Sequence, residues 1–500
     1  MADQTVNPQW ANEETAAFSA DRANRVARNS VTSMGVSAAA RDITTMRTYA
    51  DTYGVAVAKT GDVTNQRQSG RCWMFSAFNV LRQETMRFLD VDTFEFSQAF
   101  GMFYDKLEKA NATLERVIET ADLPTDSREV EDLLENGLDD GGYYPFAMNI
   151  VRKWGLVPKD VMGETACSES SAQMDGQLNR ALRRAAGILR REAQGGAGTD
   201  DLRARKQELL ADVHQILCVC LGEPPARFDL ELKVGKDCKA DPKKLFPIEP
   251  APQTKGQGQG EGTGSDVATG TNDKDEKPSQ ILRDLGLTPL EFVERYVPTD
   301  PTAYISLVSI PSERFPYGRV YRLLRTDSFI AGMRTRFLNV EPELLDQAAI
   351  ASLKDGRPLA MACDVMQNFP RHIEDFKYVL STDAVDVDGL FGIDLSMSRT
   401  DMLDLHETSL THAMTFQGVE LDGNGSPKAW RVENSWGKDA GKDGYLIMSA
   451  DWFHLYGGEI DVQREYVPTE LLDSWDDESQ DIEVEPWSSM GRALGAGRRD

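Results

Sequence analysis

Apolar residues recur at helical spacing over 72–89. Trp73, Ala77, Val80 and Leu81 share one face, and Met74, Phe78, Leu81, Thr85 and Phe88 share an adjoining one. Two apolar faces predict a helix largely buried in a domain. The same periodicity predicts helices near 98–119, 127–136 and 144–154, and the Arg-, Ala- and Glu-rich stretch at about 168–221 also reads as helical. Residues 1 to about 60 read as loosely amphipathic helix plus loop. After about residue 301 the signals turn strand-like. Segments 303–310, 359–364, 411–421, 429–434 and 445–449 are predicted strands, broken by Gly, Pro and Asp turns. The stretch 250–279 has almost no apolar content, cannot repay its ordering entropy, and is expected to be a disordered loop or linker. The expected class is therefore α+β, with a helical half, a long inserted region and a β-rich half.

A chain of 500 residues exceeds what one core usually serves, so two or three domains are expected. Hydrophobic residues make up 40% and charged residues 27%, enough to build cores without a disulfide or metal staple. The net charge of −26 repels phosphate backbones, which argues against nucleic acid as a partner. The opening residues MADQTVNPQW carry no basic stretch followed by an apolar one, and no long apolar run occurs, so neither a secretion signal nor a membrane span is expected. The six cysteines, Cys72, Cys167, Cys218, Cys220, Cys238 and Cys363, are sparse for this length and fit reduced thiols in a cytoplasm.

One of those cysteines stands apart. In Asn65-Gln66-Arg67-Gln68-Ser69-Gly70-Arg71-Cys72-Trp73 a polar loop runs straight into the apolar helix, and Cys72 sits at the junction. Free N–H groups at a helix start favour a thiolate, which is the nucleophilic form of cysteine. An arbitrary cysteine is more often just a small buried hydrophobe. A nucleophile needs a base, and of the five histidines His412 opens an alternating strand followed by the turn Asp422-Gly423-Asn424-Gly425. Reflection about that turn puts His412 opposite Asn434 or nearly so, where an amide oxygen can accept a ring N–H and aim the other nitrogen at the thiol. Without Cys72 the same pair would read as a structural histidine beside a strand-end Asn. An oxyanion needs donors, and the Cys72 N–H with Gln66 or Gln68 can supply them; spacing does not choose between the glutamines.

These residues resemble the papain superfamily, whose pattern is Gln, five residues, Cys-Trp, a later His and an Asn-Ser-Trp-Gly segment. Ser69-Gly70-Arg71-Cys72-Trp73, Phe103-Tyr104-Asp105-Lys106-Leu107-Glu108-Lys109-Ala110-Asn111, Leu410-Thr411-His412-Ala413-Met414 and Trp430-Arg431-Val432-Glu433-Asn434-Ser435-Trp436-Gly437 are similar to the bleomycin hydrolase and aminopeptidase C branch. The resemblance implies a thiol peptidase that needs no cofactor, acts on peptides and assembles as a homohexamer. It assigns Cys72, His412 and Asn434 to catalysis and selects Gln66 as the oxyanion donor. Trp436 would shield the His–Asn bond, with Trp73 as a supporting ring. Gly141 and Gly142 resemble the Gly-Gly segment that pairs with substrate backbone; an ordinary turn explains them equally well. The implied fold is two-lobed and papain-like, a helical lobe plus a β-barrel-like lobe, with a large helical insertion and a C-terminal arm. Its expected divisions are an N-terminal extension (1–64), a helical catalytic lobe (65–165), an inserted, mainly helical region (166–330), a β-rich catalytic lobe (331–470) and the arm (471–500).

In this branch the arm ends soon after a segment like Trp487-Ser488-Ser489-Met490-Gly491-Arg492-Ala493-Leu494, and its terminal carboxylate anchors the substrate amine. Here Gly495-Ala496-Gly497-Arg498-Arg499-Asp500 follows. The longer tail leaves two enzymatic readings, an aminopeptidase and an endopeptidase on the same scaffold. A non-catalytic chamber protein would have lost one of the required side chains. Three other patterns carry less. His214, Cys218, Cys220 and Cys238 lack zinc spacing. In the stretch from Asp422 to Glu433, Pro427 stands where a calcium loop needs Gly, and Asp386-Val387-Asp388-Gly389 lacks ligands at flanking positions.

Overall fold

The computed structural model describes residues 5–45, 48–248 and 280–496. The polar stretch expected to be a linker at 250–279 lies outside the described residues. Among the described residues the first α-helices are α1 (Pro8–Ala20), α2 (Arg22–Met34), α3 (Val36–Ala40), α4 (Cys72–Leu89), α5 (Gln98–Glu119), α6 (Arg128–Asn136), α7 (Tyr144–Trp154), α8 (Ala166–Glu169), α9 (Ala172–Gln194) and α10 (Thr199–Leu221). The region predicted as one helical stretch at 168–221 thus breaks twice. Ser170 leaves the helical region at φ −146°, and the Gly195-Gly196 pair ends α9.

The strands are β1 (Val55–Ala56), β2 (Phe228–Val234), β3 (Leu245–Pro247), β4 (Gln280–Leu287), β5 (Tyr304–Val308), β6 (Arg319–Leu323), β7 (Arg336–Asn339), β8 (Leu359–Cys363), β9 (Val379–Leu380), β10 (His412–Leu421), β11 (Pro427–Glu433), β12 (Tyr445–Ser449), β13 (Glu459–Gln463) and β14 (Ile482–Val484). Among the described residues they form an 11-stranded sheet in the order β14-β6-β7-β5-β13-β8-β10-β11-β12-β9, with β1 on β10, and a small sheet β2-β4-β3. The architecture is mixed α+β.

Beside the long helices α9 and α10, the region 166–330 also holds the antiparallel pair β2 and β4. Phe228, Leu230 and Val234 of β2 bury while Asp229 and Glu231 face out, a two-residue alternation short enough to be overlooked. The division at 330 falls between β6 and β7, which are hydrogen-bonded neighbours in the large sheet.

Helix α4 is the element on which the site is built. Fourteen of its 18 residues are buried, and it packs between helices α5 and α7 on one side and the sheet on the other. On the sheet side, Ser76 Oγ donates to the Met414 carbonyl of β10 at 2.6 Å. Buried Arg82 reaches Glu433 at the end of β11 at 2.5 Å. Asn79 and Gln417 also donate to the Glu433 carboxylate, at 3.4 Å and 2.7 Å. A cluster of polar contacts therefore fixes how the helix sits on the sheet.

Candidate active site

Cys72 is the first residue of α4, where unshared backbone N–H groups gather positive potential. The placement of His412 beside it follows from one contact. Ser76 lies one turn after Cys72 on the same helix face, and Met414 lies two residues after His412 on the same strand face. The Ser76–Met414 bond therefore brings the start of α4 and the start of β10 together. Cys72 and His412 line one cavity of about 510 Å³, with Gln66, Trp73, Gly141, Gly142 and Trp436 in the same wall.

His412 Nε2 lies 2.9 Å from Asn434 Oδ1. The same oxygen accepts the Ser435 backbone N–H at 2.7 Å, which only an oxygen can do, so the amide orientation is fixed. Asn434 Oδ1 must then accept from an Nε2–H, and a neutral His412 keeps its lone pair on Nδ1. The Trp436 ring lies 4.9 Å from the imidazole, tilted by 34°, and covers this pair. The hairpin register differs from mirror symmetry about its turn. Irregularities between Phe416 and Gly418 and between Glu420 and Leu421 bring Thr415 opposite Glu433. Asn434 thus sits just beyond the paired strand, and its side chain, not the backbone register, reaches the histidine.

The two glutamines now separate. Gln68 is exposed. Gln66 is buried, lines the cavity, donates to the Ser69 carbonyl at 2.6 Å and accepts from Ser435 Oγ at 2.5 Å. Its backbone N–H also donates to the Ser435 carbonyl at 2.7 Å. The amide is thus clamped from both ends, with a second N–H left on Nε2 to serve the cavity.

Burial pushes the His412 pKa down to about 4, against a smaller upward pull from the Asn434 bond. The ring therefore stays neutral through the ordinary histidine range and gains a proton only below about pH 4 unless a thiolate offsets the charge. The expected consequence is an acid limb of kcat/KM centred near pH 4, well below 6.5, since the thiol–imidazolium form cannot attack. Asn434→Ala removes the upward pull and is expected to move that limb lower while reducing the rate. A pH–rate profile of both proteins reads this directly.

Two features behind the wall escaped the sequence reading. Asp140 organises the approach to the nucleophile. Its carboxylate accepts from the Gly70 N–H at 2.8 Å and Ser171 Oγ at 2.5 Å, and its carbonyl accepts from Trp73 Nε1 at 2.7 Å. Fully buried Lys106 pairs with it at 2.7 Å, and that charge holds the Asp140 carboxyl well below the usual range despite burial. The Trp73 ring in turn leaves no room for a Cβ at Gly142, which would fall 2.5 Å from Cε2, so the glycine is a steric need there. Arg71, also buried, makes a two-pronged pair with Glu164 at 3.2 and 2.9 Å and donates to Ser168 O at 2.7 Å. The motif residues around Cys72 are thus braced on both flanks.

The C-terminal segment enters the same cavity. Helix Ser489–Ala493 carries Leu494, Gly495 and Ala496 into its wall. Tyr143 Oη donates to the Leu494 carbonyl at 3.1 Å, and Leu410 N donates to Ala493 O at 2.9 Å. Gly495 adopts φ +78°, and a Cβ there would meet Leu410 O at 2.5 Å. Residues 497–500 lie outside the described residues. The other histidines serve elsewhere: His454 pairs with Asp346 at 2.9 Å, and His214 meets Cys218 at 3.6 Å. Among the described residues no group of three or more ligating side chains could hold a metal, and no helix is long and apolar enough to cross a membrane.

Comparison with known proteins agrees over nearly the full length. The model of the Peptidase C1-like family matches residues 5–249 and 270–491. The chain is 34% identical to aminopeptidase C of Listeria monocytogenes over 92% of its own length and 93% of the relative's. It is 33% identical to aminopeptidase W of Lactobacillus delbrueckii over 97% and 99%. The crystal structure of PepW from Lactobacillus rhamnosis HN001 superimposes with a TM-score of 0.85 at 31% identity, covering 99% of each chain.

Proposed function

Because the chain belongs to the Peptidase C1-like family and is a cysteine aminopeptidase of the papain superfamily's aminopeptidase C branch, we propose that it releases N-terminal residues from peptides through a thioester on Cys72. The observation that carries this reading is the His412 Nε2–Asn434 Oδ1 bond in the wall of the cavity that Cys72 also lines. His412 Nδ1 takes the Cys72 thiol proton as the sulfur attacks the carbonyl carbon of the first residue, and the carbonyl π electrons move onto oxygen. Gln66 Nε2–H and the Cys72 backbone N–H hold the oxyanion, a contribution worth about 10²- to 10³-fold per donor. His412 gives its proton to the departing amine as the C–N bond breaks. It then takes a proton from water, which attacks the thioester and frees the amino acid and the thiol. Trp436 keeps water off the His–Asn bond, Trp73 seats Gly142, and Gly141 and Gly142 admit the substrate backbone. No metal or organic cofactor takes part in any of these steps.

In this reading the helical lobe at 65–165 and the β-rich lobe at 331–470 face each other across the cleft. The arm beginning at residue 471 closes the end where residues before the first would lie, and Leu494–Ala496 in the cavity wall support that closure. The protein works in the cytoplasm, where six cysteines that form no disulfide suit a reducing medium. It assembles as a homohexamer. The N-terminal helices supply apolar surface for a second copy: α1 and α2 bury no residue within the chain, and Trp10, Phe18, Val26 and Met34 are exposed.

The test uses two fluorogenic aminoacyl substrates under reducing conditions, alike except that one has its α-amine acylated. Turnover of the free-amine substrate alone is the expected result. Cleavage of the blocked substrate at an equal or higher rate would replace the aminopeptidase register with an endopeptidase one.

A further inference from the structure

The cavity wall continues past the catalytic residues to a place where three separate elements meet. Glu129 on α6, Arg325 on the turn after β6 and Pro486 on the C-terminal arm all line it. Arg325 joins the three. Its Nε donates to Glu129 Oε1 at 2.7 Å, and its Nη1 donates to Glu485 Oε2. The next aromatic residue of the arm, Trp487, is gripped at the same junction. Arg128 of α6 stands over its ring at 5.0 Å from the centroid, and Arg325 at 5.8 Å. One guanidinium thus ties a helix of the cavity wall to the segment that leads into Leu494–Ala496.

The backbone at Arg325 argues that its side chain is kept for this contact. Arg325 adopts φ +60°, a left-handed conformation that a residue with a Cβ seldom takes and that glycine or asparagine takes at less cost. The rest of the arm's seat is apolar. Met490, Ala493, Leu494 and Ala496 cluster with Phe315, Tyr321, Leu323 and Phe337, which come from β6, β7 and the loop before them. That cluster seats the arm on the sheet, and the Arg325 junction adds a grip on α6. The two holds differ in kind. The Glu129, Arg325 and Glu485 side chains are 28%, 30% and 36% exposed, so salt screens their pairing and leaves the apolar seat in place.

We propose that Arg325 is a positioning residue for the exopeptidase register. It latches the arm to α6, and so holds Leu494–Ala496 where they shut out a substrate that carries anything before its first residue. The inference rests on the aminopeptidase reading and adds the contact that keeps the closure shut. With the latch open, the arm keeps its seat on the sheet while its end gives way to a substrate blocked at the amine. Arginine suits the task because its planar fork reaches two carboxylates at once, which a lysine ammonium does less well.

The test measures kcat/KM for a leucyl aminocoumarin amide and its N-acetyl form in wild type, Arg325→Asn and Glu129→Gln, under reducing conditions. Asparagine tolerates the left-handed turn, so Arg325→Asn removes the guanidinium and keeps the backbone. The expected result is a ratio of blocked to free-amine kcat/KM raised by about tenfold in Arg325→Asn, the scale of two partly exposed contacts. Glu129→Gln should raise it by a smaller factor, and both thermal midpoints should stay close to that of wild type. Raising salt from about 0.1 to 1 M should raise the ratio in wild type and change it little in Arg325→Asn, which a merely structural residue would not do. An unchanged ratio in Arg325→Asn would overturn the proposal. So would equal losses on the two substrates, a raised ratio that appears only with a lowered midpoint, or the same salt response in both proteins. Wild type that cleaves the acetylated substrate as readily as the free one would remove the aminopeptidase reading and the latch together. A selective wild type with unchanged ratios in the variants would remove the latch alone.

Discussion

Cys72→Ala is expected to lower kcat/KM by on the order of 10⁴- to 10⁶-fold, the range seen when the nucleophile of a catalytic triad is removed. The loss should be one of chemistry and not of fold. Cys72 is only half-buried at the first position of a long helix, and alanine is the best helix former. The rest of the site does not depend on the sulfur: Gln66 is clamped by Ser69 and Ser435, His412 by Asn434, and Arg71 by Glu164. The thermal midpoint should therefore match wild type while turnover vanishes. Peptide turnover that survives in the folded variant would mean that another group attacks the carbonyl.

The second large effect concerns stability. Arg82 and Glu433 have side chains 1% and 0% exposed and meet at 2.5 Å between α4 and β11. Burial raises the Glu433 carboxyl above its ordinary range even with Arg82 against it. The cost of burying the charge thus outweighs the pairing, and the contact sets geometry more than it adds stability. Removing one partner strands the other, so Glu433→Leu is expected to cost about 3–5 kcal/mol of unfolding free energy, and Arg82→Met a similar amount. Replacing both with apolar residues, Arg82→Met with Glu433→Leu, should recover most of that loss. Denaturant titration of the four proteins gives the cycle. Activity should fall in the single variants as well, because Glu433 precedes Asn434 and its carboxylate ties the β11 end to the nucleophile's helix. Single variants as stable as wild type would show that the pair does not hold the two elements together.

What could be read from the chain was whatever is local. Helix α4 begins at Cys72 and ends at Leu89 because the apolar faces run uninterrupted between a Ser-Gly loop and Asp90 in a left-handed cap. Helix α5 begins at Gln98 because Ser97 Oγ caps the Phe100 N–H at 3.0 Å. The His412 and Asn434 pairing was legible through the turn at 422–425, but its detail was not, since register irregularities depend on what each strand packs against. Spacing left Gln66 and Gln68 open and the resemblance selected Gln66, whose contact with Ser435 spans most of the chain and has no local signal. Asp140 and Lys106 stood within motifs noted for their resemblance, yet their pairing joins a loop to a helix and has no sequence period.

The measurement that bears most directly on the central claim is the mass of the protein quenched in acid during turnover of an activated aminoacyl ester. The account predicts an increment equal to one aminoacyl group, located by peptide mapping on Cys72 and absent from Cys167, Cys218, Cys220, Cys238 and Cys363. An acyl group on any other residue during productive turnover, or turnover with no covalent species on Cys72 under conditions where deacylation limits the rate, would contradict it.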